Sequence, residues 1–482
     1  MAYKIKMLNL YNTFSKKKES FTPLNSGKVG MYTCGPTVYS YIHIGNIRAY
    51  LLSDTIRRYL EYIVFDVRLI KNITYVGHLS DDDIAQGDSG EDKMLKAALK
   101  EKKTPEEIAR FYEEYFKATE KELNILPAHF FPRATAHIPQ MIKIVESLIE
   151  KGFAYENNGN VFFDVTKFED YGKLSGNTLE NLKNGARVEE HPDKKNAWDF
   201  ALWIKAPQGH AMKWESPWST GYPGWHIECS AMSTEYLGNT IDIHTGGEDN
   251  IFPHHEAEIA QTQCYTGKQY VRYWIHTRHL LFEGKKMSKS KGNLFTIEDI
   301  KEKGYSAMDL RMLFLSAHYR SQMDFSWEAL EQAHKNFQKI NDFVLELETV
   351  SKRELMSPEN FDIEKYKEKF EAAMDDDLNT PLALSNLYEL ISECNVLLTK
   401  NHLCSENAKE ILSLWKRTNS VFGFVLQGQA EIPEEIKELI RQREAARLGK
   451  DFEKSDSLRK LIEKHGFVLE DTKDGQKIKP AK

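Results

Sequence analysis

Residues 31–50 read MYTCGPTVYSYIHIGNIRAY. The run entering this stretch, KVGMYTCGPTV, is rich in Val, Tyr and Thr, which suit a pleated, half-buried surface. The run leaving it, NIRAYLLSDTIRRYLEYI, repeats Ile47, Tyr50, Leu51, Ile56, Leu60 and Ile63 on or near one helical face. DVRLIKNITYV then reads as a second strand. Strand, helix and strand at this spacing predict a βαβ unit, and therefore a parallel sheet.

The bulk numbers bound the rest. A length of 482 residues predicts about three domains. With 41% hydrophobic and 28% charged residues the chain is a folded one. No apolar run reaches the roughly 20 residues that a membrane helix needs, so no membrane partner is expected. The first residues, MAYKIKMLNLYNTFSKKKES, lack the apolar core of a signal peptide, and their alternation reads as an edge strand. A cytoplasmic location is expected. The five cysteines are odd in number and widely spaced, which argues against a disulfide framework. A net charge of −7 argues against indiscriminate nucleic-acid binding but leaves room for a local basic surface.

Downstream of the βαβ unit the pattern turns helical and charged, with Thr104-Pro105-Glu106-Glu107 as a helix start. Residues near 153–220 are hairpin-like and then loop-rich, with several Trp, as in an insertion. IDIHTGG and YVRYWIHTRHLLF resume the βα rhythm, and beyond about residue 326 the chain reads as helical.

Four stretches carry chemistry. In HIGN a His at the mouth of a helix precedes a Gly with no Cβ, an arrangement that suits a flat ring or a phosphate. KKMSKSKGN is a cationic loop able to close over a polyphosphate and neutralise charge as pyrophosphate leaves. No Walker or GxGxxG pattern occurs, so a nucleotide must be held by other means. In FPHHEAEIAQ, Pro253 reads as a first-turn proline, and His254 and Glu258 share one helical face at i, i+4. They are plausible zinc ligands, although His255 could equally serve. GYPGWHIECSAMS places Cys229 after Trp225 and His226. With Cys34, the set becomes two thiols, an imidazole and a carboxylate, which suits zinc.

Together these stretches resemble the class I aminoacyl-tRNA synthetases, and among them the cysteinyl-tRNA synthetase family. HIGN is similar to the HIGH signature, and Lys286–Ser290 matches KMSKS letter for letter. YTCGPTVY, GWHIECSAM and FPHHEAEIAQ are close to the cysteinyl family's own motifs, and the likeness extends to DDDLNTPLAL and the C-terminal tail.

The resemblance implies an α/β fold: a Rossmann-like parallel-sheet catalytic domain with an inserted connective domain, then a helical C-terminal anticodon-binding region. The expected division is 1–120 and 221–325 for the two catalytic halves, the second with the KMSKS loop. Residues 121–220 are expected to form the insertion, 326–430 a helical bundle, and 431–482 a small basic tRNA-reading domain.

For the site, the resemblance implies one Zn²⁺ held by Cys34, Cys229, His254 and Glu258, which would bind the substrate thiolate. It implies that His43 and Asn46 touch the ATP phosphates and that Gly45 lies under the adenine. Lys286 and Lys289 would stabilise the departing pyrophosphate, Lys289 also binding ATP, and Thr74, Trp225 and His244 would line the cysteine pocket. The partners are then ATP with Mg²⁺, L-cysteine and the tRNA for cysteine, and a monomer is expected. The implied activity is formation of cysteinyl-adenylate, followed by transfer to the terminal ribose of tRNA. An apolar pocket separates near-isosteres by only about 1–3 kcal/mol, so selection at a metal would make editing unnecessary.

Three departures stand out. Asn46 replaces the second His of HIGH, Tyr75 stands where an Asp commonly follows NIT, and Tyr222 where an Arg commonly precedes PGWH. Two other readings compete: an ATP-dependent ligase joining cysteine to an amino sugar, and a non-catalytic zinc-stabilised RNA-binding protein. From Lys437 onward there are 13 Lys/Arg against 9 Asp/Glu, the local basic excess an RNA reader requires. The intact KMSKS loop argues against mere binding.

Overall fold

Strand β1 (Lys28–Thr33), helix α1 (Ile44–Tyr62) and strand β2 (Asp66–Lys71) form the expected βαβ unit, with β1 and β2 parallel and Met31 opposite Leu69. The computed structural model describes residues 8–75, 93–178, 192–208, 210–287, 293–352, 361–400, 402–426, 434–465, 467–472 and 475–480. Helix α2 (Trp225–Leu237), β3 (Ile241–Gly247), α3 (Glu256–Thr266) and β4 (Val271–Thr277) resume the rhythm. The four strands make one parallel sheet in the order β4-β3-β1-β2. Val29, Met31, Val67, Leu69, Ile241 and Ile243 are buried in it, as strands covered on both faces require.

Between the two halves lies a helix, Ile138–Glu150, and a four-stranded antiparallel sheet. Its strands are Ala154–Asn157, Asn160–Phe163, Phe200–Lys205 and Gly221–Pro223. The last of them ends three residues beyond the expected edge of the insertion. The N-terminal alternation forms a hairpin, Asn9–Asn12 with Lys17–Ser20, that runs beside β4: the Thr13 N–H donates to the Trp274 carbonyl at 2.8 Å.

The C-terminal part is helical, as its periodicity predicts, with Trp327–Val350, Glu364–Asp375, Thr380–Thr399 and Ser405–Phe422 packed on the same core. Three consecutive aspartates tie it down. Asp375 accepts the Tyr59 hydroxyl of α1 at 2.6 Å, Asp376 pairs with Lys18, and Asp377 accepts from the Tyr319 hydroxyl and Arg320, both at 2.6 Å. Helices Glu434–Leu448 and Phe452–Lys464, with the hairpin of Phe467–Thr472 and Gly475–Pro480, gather around a separate small core of Ile436, Ile462 and Leu469. No helix among the described residues is long and apolar enough to cross a membrane.

Candidate metal and substrate site

Segments far apart in sequence converge at the carboxyl ends of the parallel strands, the edge at which open α/β sheets bind ligands. Cys34 directly follows β1 and is half-buried. Cys229 lies one turn into α2, on the face that also carries Trp225 and Glu228. Glu258 is in the first turn of α3.

Pro253 does not open a regular helix, contrary to the sequence expectation. Phe252 is extended (φ −137°, ψ 134°), His254 and His255 lie in a wide turn, and the regular helix begins at Glu256. The i, i+4 relation survives because both residues keep helical backbone: His254 Nε2 is 3.0 Å from Glu258 Oε1.

Cys34 Sγ lies 3.9 Å from Cys229 Sγ and 3.8 Å from Glu258 Oε1. The ligand atoms of Cys34, Cys229, His254 and Glu258 all lie within 4.8 Å of one another, and those of Cys34, His244, His255 and Glu258 meet the same limit. Both sets share Cys34 and Glu258. The first carries two thiols against one, the richer donor set for a soft-leaning tetrahedral ion.

A second layer of contacts orients these groups, as ligating imidazoles and carboxylates require. His254 Nδ1 is 3.0 Å from His226 Nδ1, and His255 Nδ1 is 2.7 Å from His276 Nε2. Glu258 Oε2 accepts the Tyr270 hydroxyl at 3.0 Å and lies 3.0 Å from His244 Nε2. The electrostatics follow. Burial would raise the Glu258 carboxyl, but His244 and His254 hold it well below the usual range. Burial pushes the Cys34 thiol up. It would do the same to Cys229, but the Cys34 hydrogen bond and His254 bring that thiol down. Both downward shifts favour the charged forms that bind a cation.

Of the residues expected to line the amino-acid pocket, Trp225 stacks on His254 with ring centroids 4.3 Å apart. The Thr74 hydroxyl donates to Glu228 Oε2 at 2.9 Å. His244 is fully buried, stacked on Trp274 at 4.6 Å and bonded to Glu258, and it belongs to the second of the two ligand sets.

The HIGN turn caps α1. His43 Nδ1 accepts from the Gly45 N–H at 3.1 Å, and Asn46 Oδ1 accepts from the His43 N–H at 3.1 Å, a reciprocal capping box. A Cβ on Gly45 would sit 2.9 Å from the His43 ring, so only glycine leaves that ring in place. The Ile44 N–H donates to the Phe295 carbonyl at 2.8 Å, bringing the chain that follows the Lys-rich loop to the mouth of α1. Lys289 lies outside the described residues. Lys286 ends a short strand, Lys285–Lys286, paired with Leu281–Phe282.

Glu228, Tyr270, His226 and His276 were not among the sequence candidates. Glu228 had a legible signal, being i+3 from Trp225 and adjacent to Cys229. Tyr270 had none, since only the fold brings it to Glu258. The two other departures are accommodated locally. The buried Tyr75 hydroxyl donates to Glu113, and the Tyr222 ring stacks on His210 at 4.7 Å.

Comparison with known proteins bears on the site. Residues 20–335 match the profile of the class I (C) tRNA synthetase catalytic domain, residues 369–427 the DALR domain, and residues 429–478 the cysteinyl-tRNA ligase anticodon-binding domain. The chain is 43% identical to the cysteine–tRNA ligase of Lachnoclostridium phytofermentans, covering 98% of this chain and 100% of the relative. It is 44% identical to that of Caldicellulosiruptor saccharolyticus, with the same coverage. Among solved structures, Mycobacterium tuberculosis methionyl-tRNA synthetase in complex with methionyl-adenylate shares the fold, with a TM-score of 0.58 at 14% identity over 82% of this chain and 89% of that one.

Proposed function

The chain belongs to the cysteine–tRNA ligase family, and from that premise we propose how its residues carry the reaction. As a ligase of this family it activates L-cysteine with ATP to give cysteinyl-adenylate and pyrophosphate, then transfers cysteine to the terminal ribose of its tRNA. We assign Cys34, Cys229, His254 and Glu258 as the ligands of one Zn²⁺. The observation that carries this is the meeting of two thiols, an imidazole and a carboxylate within 4.8 Å. When bound, zinc supplies selection, because a soft thiolate is a far better ligand than the harder hydroxyl of serine.

The rest of the site positions and neutralises. The His43–Asn46 capping box fixes the amino end of α1, whose positive potential suits the ATP phosphates. Gly45 leaves a surface flat enough for adenine. Attack of the cysteine carboxylate on the α-phosphorus needs positioning and charge neutralisation more than a protein nucleophile. We give the neutralising role to Lys286 and Lys289, with Mg²⁺ accompanying ATP. Thr74, Trp225 and His244 border the cysteine.

The division at 1–120, 121–220, 221–325, 326–430 and 431–482 is proposed with this reading. The antiparallel sheet between the two βα halves, whose last strand runs on to Pro223, supports an inserted unit, and the separate C-terminal core supports a terminal one. The C-terminal unit would read tRNA, and we propose a cytoplasmic monomer.

Cysteine-dependent exchange between ATP and labelled pyrophosphate tests the reading, with serine as control and zinc measured in the same preparation. Exchange with cysteine alone, followed by charging of tRNA, is expected. No exchange would refute the reading, and exchange without charging of any tRNA would point to a small-molecule acceptor instead.

A further inference from the structure

Thr74 belongs to a chain of hydrogen bonds that starts beside one thiol of the cluster and ends beside the other. The Gly35 N–H, next to Cys34, donates to Asn72 Oδ1 at 2.8 Å. Asn72 Nδ2 donates to Thr74 Oγ1 at 3.1 Å, and that hydroxyl donates to Glu228 Oε2 at 2.9 Å. Glu228 immediately precedes Cys229. The chain is closely packed at its origin, where a Cβ on Gly35 would lie 1.8 Å from the Asn72 carbonyl oxygen.

The Glu228 carboxylate is fully buried, and its second oxygen, Oε1, has no hydrogen-bond partner. Among the described residues no lysine or arginine pairs with it. A charge in that position is costly without a paired cation, and burial, with Cys229 beside it, pushes the Glu228 carboxyl well above its ordinary value. Glu228 lies three residues from Trp225 on α2 and close enough to Cys229 and His254 for their charges to act on it.

We propose that Glu228 is a specificity-determining residue that binds the α-ammonium of the amino-acid substrate through Oε1, with Thr74 orienting the carboxylate through Oε2. This rests on the reading of the site given above. A ligand whose thiol reaches the cluster carries its ammonium only two carbons away, within reach of a carboxylate one residue from Cys229. The ammonium supplies the missing donor and the missing countercharge. Substrate is then recognised at two points, the thiol by the four-ligand cluster and the amine by Glu228. A thiol lacking the amine would be held at the first point only.

The test compares cysteine with 3-mercaptopropionate, which has the thiol and carboxylate but no amine, in wild type, Glu228→Gln and Thr74→Val. Cysteine KM is read in ATP–pyrophosphate exchange, and 3-mercaptopropionate is read as a competitive inhibitor of it. In Glu228→Gln the cysteine KM should rise on the order of thirtyfold, the loss of one charged hydrogen bond. The inhibition constant of 3-mercaptopropionate should stay within about twofold, with zinc content and ATP KM unchanged. Thr74→Val, which leaves the carboxylate in place, should show the same pattern more weakly. Equal weakening of both ligands, or loss of zinc in Glu228→Gln with no selective effect in Thr74→Val, would overturn the assignment. Absence of cysteine-dependent exchange in the wild type would instead refute the function on which it rests.

Discussion

The thiols of Cys34 and Cys229, separated by 195 positions in the chain, lie 3.9 Å apart. One follows the first strand of the parallel sheet, and the other rides on the helix that begins its second half. Their meeting is a property of the whole catalytic fold, since the antiparallel insertion must fold out of the way for β1 and β3 to pair.

Cys229→Ser should therefore lower zinc content and raise the cysteine KM together, by tenfold or more on the order expected for loss of a metal ligand or its support. Metal analysis of the purified variant and the exchange assay check it. Full activity at unchanged metal content would remove Cys229 from the site.

Much of this was legible before any coordinates. The βαβ unit followed from periodicity, and the His254–Glu258 pair from helical spacing. What sequence could not show is how three segments close on one point, because that depends on sheet order. The choice between His254 and His255 is open in the sequence for the same reason: each imidazole belongs to a set that shares Cys34 and Glu258. The role of Glu228 is a matter of packing, visible only once Thr74 is seen to bond it.

A buried ion cluster welds α1 to the C-terminal helices. Arg311 Nη2 and Arg58 Nε lie 2.6 and 2.8 Å from Asp54 Oδ2, while Arg311 also donates to the Phe422 and Leu123 carbonyls. Burial would raise the Asp54 carboxyl, but the two guanidinium groups hold it down. Arg311→Met should cost about 2–5 kcal/mol, because it leaves the buried Phe422 and Leu123 carbonyls without their donor, while Arg58 still pairs with Asp54. Asp54→Asn together with Arg311→Met should cost less than the sum of the singles, a coupling that urea denaturation of all four proteins would measure. Additive losses would show that the pair acts independently.

Glu113 gives a pH dependence of definite sign. Burial would raise its carboxyl, but hydrogen bonds from Arg133, Lys117 and Tyr75 hold it down to about 2. The folded state binds this proton less tightly than the unfolded one. Its contribution is thus complete above the ordinary glutamate value near ~4.3 and is lost as pH falls toward about 2. Lys117 and Arg133 are half-exposed and screened, so ~1–2 kcal/mol is expected at neutral pH. Wild type should exceed Glu113→Gln by that amount at neutral pH, with the gap closing across the acid range in urea titrations. A gap independent of pH would contradict the assignment.

Asn46 has a role of its own in the HIGN turn. Its Oδ1 accepts the His43 N–H while His43 Nδ1 accepts the Gly45 N–H, so the amide closes a capping box at the end of α1 assigned to the phosphates. Stability and activity can be separated at this position. Asn46→Ala removes the acceptor and should cost about 1 kcal/mol of stability, with a loss of exchange rate as the turn loosens. Asn46→Asp keeps the acceptor and suits the positive end of the helix, so its stability should match wild type or exceed it. The added negative charge would face the ATP phosphates, however, and should raise the ATP KM by tenfold or more, on the order of one like-charge contact at a partly exposed site. Thermal unfolding and ATP titration in the exchange assay read the two effects separately. An Asp variant with normal ATP KM would show that Asn46 acts on α1 alone and not on the nucleotide.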